Sequence, residues 1–179
     1  MSTTAARGFR AAGVVAGLKS TGRRDLALVV NDGPRYEAAG VFTSNRVKAA
    51  PVRWTQGLLS TRTQLRAVVL NSGGANACTG EPGAADTRRT ADAVASYLGC
   101  DAEDIAVCST GLIGMRLPMD KLFAGVDAAA SSLSAEGGDD AALAIMTTDS
   151  VPKTAIRQGA GYTIGGMAKG AGMLAPGLA

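Results

Sequence analysis

Short apolar runs separated by glycine- and asparagine-rich turns set the rhythm of the chain. Asp25-Leu-Ala-Leu-Val-Val30 predicts a buried strand, closed by the turn residues Asn31-Asp-Gly-Pro34. Ala38–Thr43 predicts a second strand, and Ser44 through Pro51 runs on toward Val52-Arg-Trp54. Leu65–Leu70 is short and β-branched, and predicts another buried strand, as does the fully apolar Ile105–Cys108. Between them Ala84–Leu98 predicts a helix: Ala91, Val94, Ala95 and Leu98 recur at helical spacing, and Gly99 is a stop. Asp86 falls in its first predicted turn, where a carboxylate complements the helix dipole. Leu117-Pro-Met-Asp opens a second helix, with Met119, Leu122, Phe123, Val126, Ala130 and Leu133 on one face. After a loop at Ser134–Gly138, Asp139 and Asp140 lead a short third helix, Ala141–Met146. Thr154–Arg157 and Tyr162–Ile164 predict a hairpin around Gln158–Gly161.

Composition narrows what these elements can build. Apolar residues are 46% of the chain but aromatics only 4%, so the core is made of Ala, Val, Leu and Ile. The 179 residues are enough for one domain or most of one. A net charge of +3 with dispersed Lys and Arg carries no nucleic-acid footprint. No apolar run approaches the roughly 18 residues that a membrane helix needs. Ala11-Ala-Gly-Val-Val-Ala-Gly-Leu18, preceded by Arg7 and Arg10, can be read as a targeting segment, but it is short, glycine-broken and ends at Lys19, and a soluble cytoplasmic protein is the expectation. Cys78, Cys100 and Cys108 form no CxxC pair and are read as reduced thiols.

The chain has no histidine, which excludes a Ser-His-Asp triad, a Cys-His pair and His-ligated zinc within it. Nucleophilic chemistry here needs a lysine, an amine or another chain as base. The loop Ser109-Thr-Gly-Leu-Ile-Gly114 follows a strand, and a Thr-Gly pair in a tight turn can aim a hydroxyl and an amide N–H at one point, as an oxyanion hole requires. A plain strand-to-helix turn has the same spacing. Asn71-Ser-Gly-Gly-Ala-Asn-Ala-Cys-Thr-Gly80 can present backbone N–H groups or serve as simple turns, but it has neither the dinucleotide nor the P-loop glycine spacing. Arg46 and Lys48 share a face if their segment is extended, a solvated edge by preference and an anion contact otherwise.

The last fifteen residues, Gly165 to Ala179, are apolar and small, with Lys169 as their single charge. Chain ends are normally polar and solvated. The stretch therefore reads as the interior of a longer chain cut after Ala179, before a Ser, Thr or Cys whose freed α-amine then serves as its base. An arbitrary boundary with a weakly ordered tail is the other reading.

Five motifs in one order, Phe42-Thr-Ser-Asn-Arg-Val-Lys-Ala-Ala-Pro51, Asn71–Gly80, Ser109–Gly114, Met146-Thr-Thr-Asp149 and Ala168-Lys-Gly-Ala-Gly-Met-Leu-Ala-Pro176, resemble the ornithine acetyltransferase (glutamate N-acetyltransferase) family of arginine biosynthesis. The resemblance runs from about Gly8 to Ala179. It implies a layered α-β-β-α sandwich, an α/β fold of the N-terminal-nucleophile aminopeptidase type, in which residues 1–179 are the α chain of a self-cleaved precursor. A β chain supplies the nucleophile and completes the domain, and the assembly is an α2β2 heterotetramer. Thr110 and Gly111 match the oxyanion-hole pair, Thr147 and Lys169 match substrate-binding residues, and Ala179 matches the cleavage site. The implied reaction moves acetyl from N-acetylornithine to glutamate by double displacement. It needs no metal and no cofactor, with acetyl-CoA as a candidate co-substrate. An amidase of related fold and a non-catalytic interaction subunit are the alternatives.

Overall fold

The computed structural model describes residues 2–171. Four strands lie side by side in chain order: β1 (Phe9–Val14), β2 (Leu26–Asn31), β3 (Ala67–Asn71) and β4 (Ile105–Ser109). β2 runs antiparallel to both β1 and β3, and β4 runs parallel to β3. A parallel pair needs a crossover, and α2 (Gly80–Leu98) supplies it. Helix α1 (Ala50–Thr61) precedes β3; α3 (Met119–Ser131) and α4 (Gly138–Ala144) follow β4. A separate hairpin, β5 (Lys153–Gly159) and β6 (Tyr162–Ala168), comes last.

Alternation along the strands sorts the core onto two faces. Leu26, Leu28, Val30, Ala67, Val69, Ile105 and Val107 meet Ala91, Val94 and Ala95 of α2 and Leu122, Val126 and Ala129 of α3. On the other face Ala11 and Ala27 pack against Ala141 and Ala144 of α4. Beyond them Phe9, Val29, Phe42, Leu59, Val68 and Ala106 line a trough of about 410 Å³. One layer of the sandwich, helices on a sheet, is thus complete, and the sheet's second face is covered only in part.

Helix α1 closes the outer edge of β4. The Thr55 hydroxyl donates to the Val107 carbonyl at 3.0 Å and accepts the Val107 N–H at 3.1 Å, and Trp54 Nε1 donates to the Ile105 carbonyl at 2.9 Å. These bonds satisfy backbone groups that an uncovered edge strand would leave to solvent or to another chain.

Several expectations are corrected. Ala38–Thr43 is not a strand; it is irregular chain flanked by an isolated bridge between Glu37 and Gln64. The segment read as running into Val52-Arg-Trp54 becomes α1, with Pro51 in its first turn, because Thr55 and Leu58 as well as Trp54 must face inward. The run Ala11–Leu18 begins as the buried strand β1. Its Gly13 is required by packing, since a Cβ there would collide with the backbone carbonyl of Asp140 at the start of α4. Helix α2 starts at Gly80, not Ala84, so Asp86 lies past the first turn and complements no helix end. The hairpin has the expected strands in longer form, with every residue of β5 exposed. The three cysteines are free thiols. Among the described residues no helix is long and apolar enough to cross a membrane.

Candidate active site

Because β3 and β4 are parallel neighbours, the loops at their carboxyl ends meet. The Thr110 N–H donates to the Asn71 carbonyl at 2.9 Å and extends the ladder by one step. Gly111 then turns with φ +146°, and a Cβ on it would lie 2.6 Å from the Gly74 amide nitrogen. Only glycine allows this approach. Farther along, the Ala75 N–H donates to the Leu112 carbonyl at 3.0 Å and the Gly114 N–H to the Ala77 carbonyl at 2.8 Å. Arg116 grips Asp86 with two bonds of 2.8 Å each, and Asp86 is buried. The bidentate partner raises the Arg116 pKa.

Two donors of the loop held at these points stand out. Among the described residues neither the Thr110 hydroxyl nor the Gly111 N–H has a hydrogen-bond partner. A fixed loop presenting one hydroxyl and one amide donor can stabilise a developing oxyanion without reorganising.

Thr147 and Lys169 form a second group around Asp149. Thr147 follows α4, and its N–H donates to Asp149 Oδ2 at 3.1 Å. The Gly170 N–H, next to Lys169 at the end of β6, donates to Asp149 Oδ1 at 2.7 Å, and Lys153 Nζ donates to the same oxygen. Lys153 first, then the Gly170 and Thr147 amides, hold the Asp149 carboxyl well below the usual carboxylate range. The Lys19 ammonium, from the turn between β1 and β2, donates to the Met146 carbonyl at 2.6 Å.

The two groups share one framework. The Ser72 hydroxyl, in the loop beneath Gly111, donates to the Ala144 carbonyl in α4, and the Ser72 N–H donates to the Asp25 carbonyl at 2.9 Å. The fully buried Asp25 carboxylate accepts the N–H groups of Ala16 (2.6 Å), Leu18 (2.6 Å) and Lys19 (2.8 Å). A Cβ on Gly73 would run into Leu18.

Sequence reasoning missed Asp149, Lys19, Asp25 and the Arg116–Asp86 pair. Asp149 stood in the same motif as Thr147, but its partners Lys153 and Gly170 come from β5 and the end of β6. Arg46 and Lys48 do not join the site. They line a broad cavity of about 1520 Å³ in front of α1 and the start of α2, with Lys48 Nζ donating to Gln56 Oε1 at 2.8 Å. Neither is on a strand edge. Ala179 and the rest of 172–179 lie outside the described residues.

Comparison with known proteins gives a consistent result. The ArgJ family model matches residues 10–179. The arginine biosynthesis bifunctional protein ArgJ of Streptomyces coelicolor is 64% identical over 100% of this chain and 46% of its own length. Its namesake from Mycobacterium tuberculosis is 62% identical over 98% of this chain and 45% of its own length. This chain thus spans a little under half the length of these curated relatives. Among solved structures, ornithine acetyltransferase from M. tuberculosis complexed with ornithine superposes with a TM-score of 0.97 at 61% identity, over 99% of this chain and 96% of that one. The ArgJ protein of Bacillus halodurans gives 0.90 at 38% identity, over 100% and 95%. The mixed α/β fold is that of these proteins, and the chain belongs to the ArgJ family.

Proposed function

We propose that this chain is the oxyanion-holding and carboxylate-binding part of an acetyltransferase that moves acetyl from N-acetylornithine to glutamate in arginine biosynthesis. The observation that carries the reading is the fixed loop whose Thr110 hydroxyl and Gly111 N–H have no hydrogen-bond partner among the described residues. Thr147 and Lys169 bind substrate, Lys169 through an α-carboxylate.

The nucleophile belongs to a β chain cut from the same precursor after Ala179. Its hydroxyl, deprotonated by its own α-amine, attacks the acetyl carbonyl, and the charge passes to an oxygen held by Thr110 and Gly111. The C–N bond breaks as the proton returns to the leaving nitrogen, and ornithine departs. The α-amine of glutamate then attacks the acyl ester, which releases the hydroxyl. That the solved relatives' chains match this one in extent, while the curated relatives run to about twice its length, supports the two-chain part. The α2β2 assembly and a cytoplasmic site belong to the same proposal. So does acetyl-CoA as second donor, on the relatives' being named bifunctional.

The test is to express the full reading frame and follow acetyl transfer from N-acetylornithine to glutamate, with water and acetyl-CoA as alternative acceptor and donor. Release of free acetate without transfer would make the enzyme an amidase. A single uncleaved mass from an active preparation would remove the processed β chain from the scheme.

A further inference from the structure

Lys19 has no part in the scheme above, yet it lies against the second group of the site. Its half-buried ammonium donates to the Met146 carbonyl at 2.6 Å and to the Arg24 carbonyl at 2.9 Å. An ammonium has three N–H donors. Among the described residues the third has no hydrogen-bond partner.

Lys19 stands beside the backbone that carries Thr147, since its carbonyl partner Met146 precedes Thr147 in the chain. Burial pushes its pKa down, Asp25 opposes this, and the positive charges of Arg23 and Lys169 add to the lowering. Both Asp25 oxygens are already engaged by the Ala16, Leu18 and Lys19 amides. Asp149 is engaged by Lys153 and by the Thr147 and Gly170 amides. Lys19 reaches the backbone before Thr147 through the Met146 carbonyl, and the Gly170 N–H, one residue from Lys169, reaches Thr147 through the Asp149 carboxylate. A carboxylate at the unpaired Lys19 N–H would favour the charged form of the ammonium, as Asp25 already does.

We propose that Lys19 is a specificity-determining substrate contact: its third N–H and the Lys169 ammonium together receive the substrate's carboxylate, while its other two bonds fix the backbone that presents Thr147. The assignment rests on the acetyl-transfer reading. A lysine that only ties two loops together would affect every substrate alike, whereas this one selects substrates that carry the carboxylate.

The experiment compares wild-type full-length enzyme with Lys19→Met and Lys19→Gln, using N-acetylornithine and its decarboxylated analogue N-acetylputrescine as donors. Gln keeps a donor for the Met146 carbonyl but removes the charge, so it carries the test if the Met variant is unstable. Loss of a charge-assisted bond predicts a fall of about ten- to a hundredfold in kcat/KM for N-acetylornithine, mostly in KM. The fall on N-acetylputrescine should be much smaller, so that the ratio between donors drops about tenfold or more. Equal falls on both donors, or a wild-type ratio in the Gln variant, would overturn the Lys19 assignment alone. A wild-type enzyme that transfers no acetyl would overturn the functional reading and this assignment with it.

Discussion

The carboxylate of Asp149 accepts the N–H of Gly170 at 2.7 Å across 21 residues of chain. The same carboxylate accepts the Thr147 N–H, so one side chain positions both proposed substrate-binding residues. Asp149→Asn keeps the shape and removes the charge. It should lower kcat/KM for N-acetylornithine and for glutamate together, by about tenfold or more. A change confined to one substrate would show that Thr147 and Lys169 are positioned independently.

The Asp149 pKa also has a consequence for stability. Its folded value lies below the ordinary one, chiefly through Lys153, so its contribution is fully present above the unfolded pKa and lost as pH falls through the folded one. The Tm gap between wild type and Asp149→Asn should therefore be constant from pH 7 to about 5 and narrow below about 4. A gap that persists undiminished at pH 3 would contradict this.

Thr110→Ala removes one oxyanion donor while the loop stays held by the Arg116–Asp86 pair and the Gly111–Gly74 contact. Acetyl transfer should fall about a hundred- to a thousandfold, or 2.7–4 kcal/mol, chiefly in kcat. A raised KM at wild-type kcat would assign Thr110 to ground-state binding instead.

Gly111→Ala is a different kind of change. Its Cβ would meet the Gly74 backbone, and φ +146° is a conformation alanine adopts only under strain of roughly 1–3 kcal/mol. Both activity and Tm should fall, whereas Thr110→Ala should leave Tm nearly unchanged. Thermal melts of the two variants side by side decide this.

Lys169→Met, similar in length but uncharged, should weaken use of both N-acetylornithine and glutamate, since each carries an α-carboxylate. Normal kcat/KM for both would return Lys169 to the surface.

Residues 1–179 expressed alone should aggregate or stay partly unfolded. Leu112, Ile113 and Met115 beside the Thr110 loop are 73, 67 and 66% exposed, and Tyr162 and Ile164 on the hairpin are 59 and 60% exposed. Clustered apolar exposure of this kind is rare on soluble monomers and marks a surface awaiting a partner. A soluble, cooperatively melting fragment would count against it.

By itself the sequence determined the elements whose apolar spacing is local: β2, β3, β4, most of α2 and α3, and the hairpin. Repeats at two or near 3.6 residues need no knowledge of the neighbours. It also singled out Thr110 and Gly111, which are adjacent in the chain and follow a readable strand. Only the tertiary structure decided the rest. β1 has few β-branched residues, and its Ala11, Ala12 and Gly13 are buried because α3 and α4 close on them from opposite faces. Val52 and Trp54 fit a strand as well as a helix until Thr55 pairs with Val107, 52 residues on. Asp86 fitted a helix-dipole role, but its carboxylate is claimed by Arg116, 30 residues later. Lys19 reaches Met146 across 127 residues. Such partners are chosen by the packing of α4 and the hairpin around the sheet, and no local pattern encodes a contact between groups that only folding brings together.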